Sequence, residues 1–459
     1  MAAFLDVCRF LPTAGGTTDW TYSSAIGGYQ SPTAAGVVNG RAYKYRAESS
    51  DLTQWEIGEG TYNTGTGVLS RTTVLFNSSG TTSKISFSAA PNVAIVALKE
   101  DLISIEEANA FSSTQKAQAR ANLDVLKKNY LVNGAMMVSQ ENGTTSGAIS
   151  TTLYYPVDQF GGAGSNAGTA TIAQVASATA GGSPNRARFT VTSADASVGA
   201  GDYAFIQQII EGDRIADLKF GTASAKTVVV QFGVKAPAGT YCVVLMNGAQ
   251  NRSYVAEYVI AGGEANTDVV KSVTIAGDTS GTWATDTSAG IVVRWGLMAG
   301  STFQLAAGSW SAGAFSGSSN QFNLMGTNSN VFELFDAGLY ESVAPPFQAP
   351  DYAPELSLCK RYFYKGTPPA RGLCASASAI SRVGCQHPVP MRASPTLTVS
   401  GNVGVTDGAV AVAISTISTN YSDADKFEID ATVTPTTLTA NRVAMLYTSS
   451  GSISISARM

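Results

Sequence analysis

The chain shows two kinds of hydrophobic periodicity. Across residues 95–130, apolar positions recur at steps of three and four, which predicts helices with one apolar face each. Elsewhere, short apolar runs alternate with polar residues between Gly, Asn, Asp and Pro turns, which predicts strands. The sequence therefore predicts β-rich segments on both sides of a short helical neck, residues 98–130. Its apolar stripe comprises Leu98, Leu102, Ile105, Ala119, Leu123, Leu126 and Tyr130.

The neck needs a packing partner. Ser112, with Gln115 three residues later, forms a capping-box pattern that predicts the start of a second helix. Helices of this length are marginally stable alone, so the narrow stripe packs either on a neighbouring domain or in a three-chain bundle. We favour the three-chain bundle, because a helical neck between β-rich segments has little purpose unless it joins protomers.

The β-rich sequence on both sides of the neck divides into three further regions. Residues 1–97 predict a compact β module, and residues 131–345 predict a β-sandwich, for which a jelly roll fits best. A proline-rich linker over 346–354 excludes helix and central strand, because proline lacks an N–H group and fixes φ. Residues 355–459 then form a distal β tip, which begins with a short helix or extended bridge over 355–364. The clearest strands of the sandwich are expected at 187–191, 228–234, 240–246 and 254–260.

The last residues of the chain have a strict period of two. Ile453, Ile455, Ala457 and Met459 alternate with Ser452, Ser454, Ser456 and Arg458. This alternation predicts a half-buried terminal strand. The fold class is therefore mainly β, a multi-domain fibrous protein with a helical trimerisation neck.

Composition narrows the class of protein. With 459 residues and 44% hydrophobic content the chain can form real cores, and a net charge of −4 provides no basic surface for nucleic acid. The N-terminus lacks an export signal and no run is long enough to span a membrane, so we expect synthesis in a cytosol without membrane insertion. Only Cys374 and Cys385, of five cysteines, are close enough in sequence to invite a bridge, and a reducing compartment argues against it.

Aromatic residues of the sandwich are the candidates for binding chemistry. Sugars stack their apolar faces on aromatic rings, while carboxylates, amides and arginines bind the hydroxyl groups. Trp283, Trp310 and Tyr254 are therefore candidates for binding a sugar, whereas Trp295 alternates with Arg294 in an apolar strand and is expected in the core. Asp278 and Asp286, which flank Trp283, leave open a structural calcium ion. We expect no cofactor.

The case for an enzyme is weak. Paired carboxylates that cleave polysaccharides are often carried by a long parallel β-helix, and the sequence has no repeat of that kind. The single histidine, His387, has no nucleophile phrase nearby and is expected as an exposed tip residue. We therefore expect binding without catalysis.

Two phrases in the first β module resemble a known family. Trp55–Tyr62 reads W-E-x-G-x-G-x-Y and precedes L-S-R-T-x-V at Leu69–Val74. The pair resembles the virion-attachment domain that begins many bacteriophage tail fibres. The resemblance implies that residues 1–97 dock on phage tail, baseplate or capsid proteins through Trp55, Tyr62 and Arg71. Trp55 and Tyr62 can at the same time be plain core residues.

Later segments resemble the same fibres. Residues 112–123 are similar to a connecting neck segment that is trimeric in such fibres, and the phrases at 207–212, 277–283 and 310–313 resemble a carbohydrate-module-like sandwich. Residues 355–364 and 388–396 resemble phrases of a distal domain. The resemblance implies a homotrimeric virion component that binds a host surface glycan or protein. A polysaccharide-degrading fibre enzyme and a structural connector or capsid fibre remain the alternatives.

The distal tip is the expected place of recognition. A fibre anchored by residues 1–97 presents its C-terminal end to the host first. The candidate receptor contacts are three residues in polar, turn-rich sequence of this tip: Tyr364, His387 and Tyr421.

Overall fold

A computed structural model of the chain describes residues 4–101, 119, 128–366, 371–401, 403–434, 437–448 and 452–459. The chain divides into two compact units, residues 1–119 and 120–459, and strands dominate both. Within the described residues, no helix combines the length and the apolar character that crossing a membrane requires. Four residues of the predicted neck stripe, Leu102, Ile105, Leu123 and Leu126, lie outside the described residues, so their role stays a prediction.

The first unit is built on one curled antiparallel sheet. The strands are β1 (Arg9–Pro12), β2 (Trp20–Ala25), β3 (Ala42–Glu48), β4 (Trp55–Asn63), β5 (Val68–Leu69), β6 (Thr73–Asn77) and β7 (Asn92–Ile95), and a 3₁₀ turn follows at Lys99–Asp101. The spatial order is β3-β7-β1-β2-β5-β4-β6, and β3 also pairs with β4, so the sheet closes on itself.

The phrase in β4 has a packing explanation. Side chains alternate along the strand, so Glu56, Gly58, Gly60 and Tyr62 all point to the buried face. A Cβ at Gly58 would lie 2.5 Å from the hydroxyl oxygen of Tyr45, and one at Gly60 would lie 1.8 Å from the carbonyl oxygen of Ser70. The two glycines therefore leave room for a tyrosine ring and for neighbouring backbone.

The ends of the predicted neck differ from a continuous helical stripe. Leu98 lies in irregular backbone before the 3₁₀ turn, where its N–H donates to the Asp101 carboxylate at 3.2 Å. Tyr130 belongs to the core of the second unit, 2% exposed, and its hydroxyl donates to Asp217 at 2.6 Å. The assignment of Tyr130 to the neck stripe was therefore wrong, because a ring inside its own sandwich cannot face another chain. Leu98 lies in irregular backbone and not in a helix, so it does not continue a helical stripe. Ala119 is helical and half-buried.

Two antiparallel sheets form the sandwich of the second unit. Their strands are β8 (Gly147–Ala148), β9 (Tyr154–Val157), β10 (Phe160–Ser165), β11 (Thr169–Ala176), β12 (Asn185–Ser193), β13 (Tyr203–Glu211), β14 (Val228–Lys235), β15 (Gly239–Asn247), β16 (Arg252–Ile260), β17 (Val269–Ile275), β18 (Ala289–Ala299), β19 (Trp310–Ala312) and β20 (Val331–Glu341). One sheet has the order β19-β16-β15-β18-β13-β10-β9 and the other β17-β14-β20-β12-β11-β8. The four strands predicted most clearly from sequence are confirmed as β12, β14, β15 and β16.

Short helical turns connect these strands. A single α-turn, α1 (Gly212–Ile215), continues as a 3₁₀ turn at Ala216–Leu218, and further 3₁₀ turns lie at Gly262–Glu264, Ser301–Phe303 and Leu324–Gly326. Inward-facing aromatic residues from both sheets fill the core, among them Phe189, Phe232 and Trp295. Trp295 is 0% exposed, as its alternation with Arg294 predicted.

A helix begins inside the predicted linker. It is α2 (Tyr352–Lys360), and Pro354 is its third residue. Proline costs nothing in a first turn, because N–H groups there have no partner within the helix. The expectation that the prolines of 346–354 exclude a helix was therefore wrong at the end of that segment. The run that follows is helix as far as Lys360 and strand from Phe363.

The distal region contains a small sheet and a closed barrel. The strands are β21 (Phe363–Gly366), β22 (Arg371–Cys374), β23 (Ala379–Gln386), β24 (Thr396–Ser400), β25 (Val403–Thr406), β26 (Ala411–Ser422), β27 (Lys426–Val433), β28 (Val443–Thr448) and β29 (Ser452–Ser456). The sheet has the order β21-β29-β24, and the barrel runs β22-β23-β27-β26-β25-β28. The terminal strand is confirmed, with Ile453 0% and Ile455 1% exposed.

Helix α2 packs against the sandwich. Cys359 and Tyr362 are buried with Val132 and Val138 in one small apolar cluster. At the end of the helix, Arg361 donates to both carboxylate oxygens of Glu211 at 2.8 and 2.7 Å. The cysteines Cys8, Cys242, Cys359 and Cys374 are buried free thiols, so Cys374 does not form the bridge that its spacing to Cys385 allowed.

Candidate functional site

The sandwich brings the predicted aromatic residues together. Trp310 lies between Trp283 and Tyr254, with ring centroids 5.4 and 5.5 Å away, and Phe220 contacts both tryptophans edge to face. The pairing of β16 with β19 sets Tyr254 directly opposite Trp310. The four rings therefore form one aromatic cluster at an edge of the sandwich.

Hydrogen bonds hold the two indoles in place. The Nε1 of Trp310 donates to the carbonyl oxygen of Ala276 at 2.7 Å, and that of Trp283 donates to the carbonyl oxygen of Ser280 at 3.1 Å. Trp283 is 8% exposed and belongs to the core, so its ring is a support and not a contact surface. Tyr254 and Trp310 are half-buried.

A groove lies beside this cluster, where β16 of one sheet approaches β17 of the other. Its volume is about 400 Å³. Tyr254 provides an aromatic wall, and Glu257, Ser272 and Thr274 add a carboxylate and two hydroxyl groups; Ala256, Val273, Ala307 and Gly308 complete the lining. Glu257 also accepts a hydrogen bond from the amide nitrogen of Asn320 at 3.1 Å. The groove offers a ring face together with donors and acceptors on rigid strands.

The two aspartates beside Trp283 do not form a cation site. Asp278 is 2% exposed and its carboxylate is held by the guanidinium of Arg252, with an Nη2–Oδ1 distance of 2.8 Å. Asp286 is exposed, and the N–H of Ser288 lowers the pKa of its carboxyl group. A cation beside Arg252 would be repelled, so the calcium alternative is not supported. Nor does any other group of three or more acidic, Cys or His residues in the described segments suit a metal ion.

The tip candidates have different environments. His387 is 8% exposed, its ring lies 5.5 Å from that of Phe427, and burial lowers its pKa, so the expectation of an exposed histidine was wrong. Tyr364 is half-buried against the apolar core of the barrel. Only Tyr421 is well exposed, at 47%, and its hydroxyl donates to Asp423 at 2.7 Å. Of the three, Tyr421 is placed to meet a ligand.

The residues carried over from the virion-attachment phrase are mainly structural. Tyr62 is 4% exposed, and Trp55 is half-buried against Phe76. Arg71 is 2% exposed, its Nε donates to Glu56 at 2.9 Å, and its guanidinium lies 4.8 Å from the centre of the Trp20 ring. The Arg71 side chain is enclosed in its own unit and has no surface to offer a partner.

Sequence reasoning missed the polar half of the groove. Glu257, Ser272 and Thr274 lie on strands that pair within different sheets, so their proximity is a consequence of how the sandwich closes. Arg294 was noted only as the neighbour of Trp295. The signal available was a charge in the middle of the apolar run from Ile291 to Trp295.

Comparisons with known proteins give only remote structural matches. No protein-family model matches the chain, and no curated protein matches it. Among solved structures, the enzymatically active domain of tailspike protein 4 of bacteriophage CBA120 is similar at 10% identity and a TM-score of 0.25, over 46% of this chain and 21% of that one.

Two carbohydrate-binding structures match at similar levels. The family 11 carbohydrate-binding module of a Clostridium thermocellum cellulosomal cellulase is 12% identical, with a TM-score of 0.23, over 44% of this chain and 98% of that one. The tandem CBM22-1–CBM22-2 domain of Paenibacillus barcinonensis Xyn10C is 9% identical, with a TM-score of 0.22, over 70% and 99%. At such scores these likenesses decide neither fold nor function.

Proposed function

We propose that this chain is a bacteriophage fibre or spike protein that binds a host surface glycan, without chemistry, in the groove beside Tyr254. The observation that carries the proposal is the groove of about 400 Å³ that Tyr254, Glu257, Ser272 and Thr274 line together. Its size falls within the range of small-ligand sites. A sugar ring can stack on Tyr254 while its hydroxyl groups bind Glu257 and the two hydroxyl side chains.

The aromatic cluster supports this role by preorganisation. The ring of Trp310 packs edge to face on Tyr254 and is tied to the backbone at Ala276. A tyrosine held in this way loses little conformational entropy when a ligand stacks on it. The groove therefore favours binding of a ring-shaped polar ligand by a rigid surface.

The fibre part of the proposal rests on the sequence resemblances. Phrases in the first unit, the neck and the distal region all resemble segments of phage fibres. A homotrimer formed through residues 98–130 would present three grooves, and several fibres on one particle would raise avidity by roughly 10² to 10⁴ without new contacts. Weak sites for single glycans are sufficient in such an assembly.

A binding experiment with the full chain tests the groove. Tyr254→Ala should weaken binding to purified host surface polysaccharide by roughly tenfold or more, because it removes the stacking surface. Tyr352→Ala removes a tyrosine that is 55% exposed at the start of α2 and is the matched control. Unchanged affinity of a folded Tyr254→Ala variant, measured by calorimetry, would reject the groove as the glycan site.

The alternatives have their own signatures. Release of reducing ends from host polysaccharide by the purified chain would favour a degrading enzyme. A full chain that neither binds host cells nor blocks infection would favour a structural connector. Incubation with host cells and with surface-polysaccharide mutants separates these outcomes from glycan binding.

A further inference from the structure

A buried arginine on the outer face of the larger sheet lacks a counter-charge. Arg294 is 6% exposed and lies on β18 directly between Gln207 of β13 and Val244 of β15. The other two buried arginines in the described part of the chain each bind a carboxylate, Arg71 with Glu56 and Arg186 with Glu333. Arg294 makes no ion pair with a described carboxylate.

The partners of Arg294 are all neutral. Its Nε and Nη2 donate to the amide oxygen of Gln207 at 3.0 and 2.8 Å, and its Nη1 donates to the hydroxyl of Ser316 at 2.9 Å. The guanidinium carbon lies 3.9 Å from the centre of the Phe205 ring. Burial lowers the pKa of Arg294 to about 10, which leaves it charged at neutral pH. A desolvated cation held by dipoles alone is costly, and an anion would relieve that cost.

Neighbouring residues hold the guanidinium of Arg294 in a fixed orientation. Gly296 follows two residues later on the same face, and a Cβ there would lie 2.2 Å from the carbonyl oxygen of Ser316. The missing side chain lets the loop that carries Ser316 rest on the sheet and reach the guanidinium. Ser316 and Gln207 are themselves 1% and 4% exposed, so they fix its orientation.

One partner is placed to exchange with a ligand. Gln250 lies half-buried in the turn between β15 and β16 with φ of +50°, and its amide oxygen accepts from Nη2 of Arg294 at 3.2 Å, the longest of the four bonds. A guanidinium carries two N–H groups on each terminal nitrogen, so displacing Gln250 would leave one donor on Nη2 and one on Nη1. Two adjacent donors match the two oxygens of a carboxylate.

Aromatic rings adjoin the guanidinium. Tyr203 stacks on Phe205 at 5.6 Å, and Phe303 meets Tyr203 edge to face at 5.2 Å. Ring faces beside a bidentate donor suit a sugar that carries a carboxylate, because the ring stacks while the charge is bound. None of these residues lines the groove beside Tyr254.

We propose that Arg294, with Gln207 and Ser316, forms a second binding site on the outer face of this sheet, which takes the carboxylate of an acidic saccharide by displacing Gln250. The site does not depend on the groove, so either proposal can fail while the other stands. Arg294 is thus a ligand-binding residue that the fold keeps at a cost to stability.

The test is a titration of the full chain with oligosaccharides that contain galacturonate, glucuronate or N-acetylneuraminate. At least one acidic oligosaccharide should bind at up to millimolar concentration, and its methyl ester should bind roughly tenfold more weakly or worse. Sulfate and phosphate at equal ionic strength are further arms. Three results would overturn the proposal: no binding of any of the three acids, equal binding of the acid and its methyl ester, or binding of sulfate or phosphate as tight as that of the acidic oligosaccharide.

Variants separate a binding role from a structural one. Arg294→Gln should lose binding by roughly tenfold or more, and Gln250→Ala should bind at least as tightly as the parent. Arg188→Gln, on the opposite sheet, is the control and should bind normally. The readout that a structural role would not share is the preference for the free acid over its methyl ester, which Arg294→Gln should lose and Arg294→Lys, which keeps the charge, should retain. Retained binding of the acid by Arg294→Gln, or an unchanged preference for the acid in that variant, would contradict the assignment.

Discussion

Several charged side chains of this protein are buried, among them Glu56 and Arg71. In the first unit, Glu56 accepts hydrogen bonds from Arg71, from the Tyr45 hydroxyl at 2.8 Å and from the N–H of Ile85 at 2.7 Å. Burial and the neighbouring carboxylate raise the pKa of Tyr45 well above its ordinary value. The network is fully satisfied, so losing any member leaves a buried polar group without a partner.

The first prediction concerns this network. Arg71→Ala should lower the free energy of unfolding of the first unit by about 3–5 kcal/mol, because Glu56 would stay buried without its cation. Arg46→Ala breaks the exposed pair with Glu48 and should change stability by less than about 1 kcal/mol. Chemical denaturation measures both. Equal effects of the two substitutions would show that burial of the Arg71 pair is not what makes it matter.

The second prediction concerns how stability depends on pH. In the barrel, N–H groups of Val410, Thr439 and Ala409 hold the pKa of Asp407 well below its usual range. Because the folded pKa is below the unfolded value of about 3.9, the stabilisation is present above that value and is lost as pH falls through the folded pKa. Asp407→Asn should therefore lower the thermal midpoint near neutral pH.

The difference between Asp407→Asn and the parent should shrink as the pH falls below about 4, where the unfolded chain gains its proton first. Asp425→Asn, at an exposed turn of the same barrel, should show little change at either pH. A difference that is constant with pH would mean that the carboxylate charge does not contribute.

Among the secondary-structure elements, helix α2 joins the sandwich to the distal region through a small buried surface. The bidentate contact of Arg361 fixes the end of α2 on Glu211, which is 0% exposed at the end of β13. Glu355, earlier in the helix, accepts from the N–H of Asn133, and burial raises the pKa of its carboxyl group. The helix is therefore held to the sandwich at both ends.

The third prediction concerns this attachment. Arg361→Ala should lower the free energy of unfolding of the second unit by about 2–4 kcal/mol, less than a fully enclosed pair because the Arg361 side chain is 28% exposed. Lys128→Ala removes an exposed pair with Asp217 and should cost less than about 1 kcal/mol. If Arg361→Ala unfolds like the control, Glu211 finds solvent or another donor and the contact is not a fastening point.

Much of the element pattern was predictable because it is local. Alternation along 187–191, 228–234, 240–246 and 254–260 reports one buried face of a strand, and the structure has a strand at each. Tyr130 continued the helical spacing by coincidence, since its burial depends on a sheet formed by distant residues. The groove was predictable only in its aromatic wall, Tyr254, because Ser272 and Thr274 come from the other sheet and reach it only when the sandwich closes.

At the scale of the whole molecule, the fourth prediction is that the predicted neck, residues 98–130, makes a homotrimer, because short amphipathic helices need partners. Light scattering of the purified chain at micromolar concentration should give three times the chain mass of 47.4 kDa. Leu123→Asp should reduce it towards one chain, since a charge buried in the seam costs several kcal/mol. A monomer that Leu123→Asp leaves unchanged would make the neck a linker.

The last prediction divides recognition between the sandwich and the distal barrel. Deleting everything after residue 354 would strip Cys359 and Tyr362 from the sandwich and confuse binding with misfolding. A better cut follows from the ladder of β21 and β29, which pairs Gly366 with Ile453. An Asn-Gly turn in place of residues 367–452 would close these strands as a hairpin, because a two-residue loop of that type fits antiparallel strands.

Removing the barrel exposes Ile453 and Ile455, so both are changed to Thr in the shortened chain and, as a control, in the full chain. If the exposed Tyr421 belongs to a receptor-binding surface on the barrel, the shortened chain should lose host adsorption while its groove still binds purified polysaccharide. If recognition belongs to the groove alone, adsorption should persist and fall only when Tyr254→Ala is added. Adsorption equal to that of the full chain would reject the tip as the place of recognition, because the shortened chain retains the groove and the neck but no barrel.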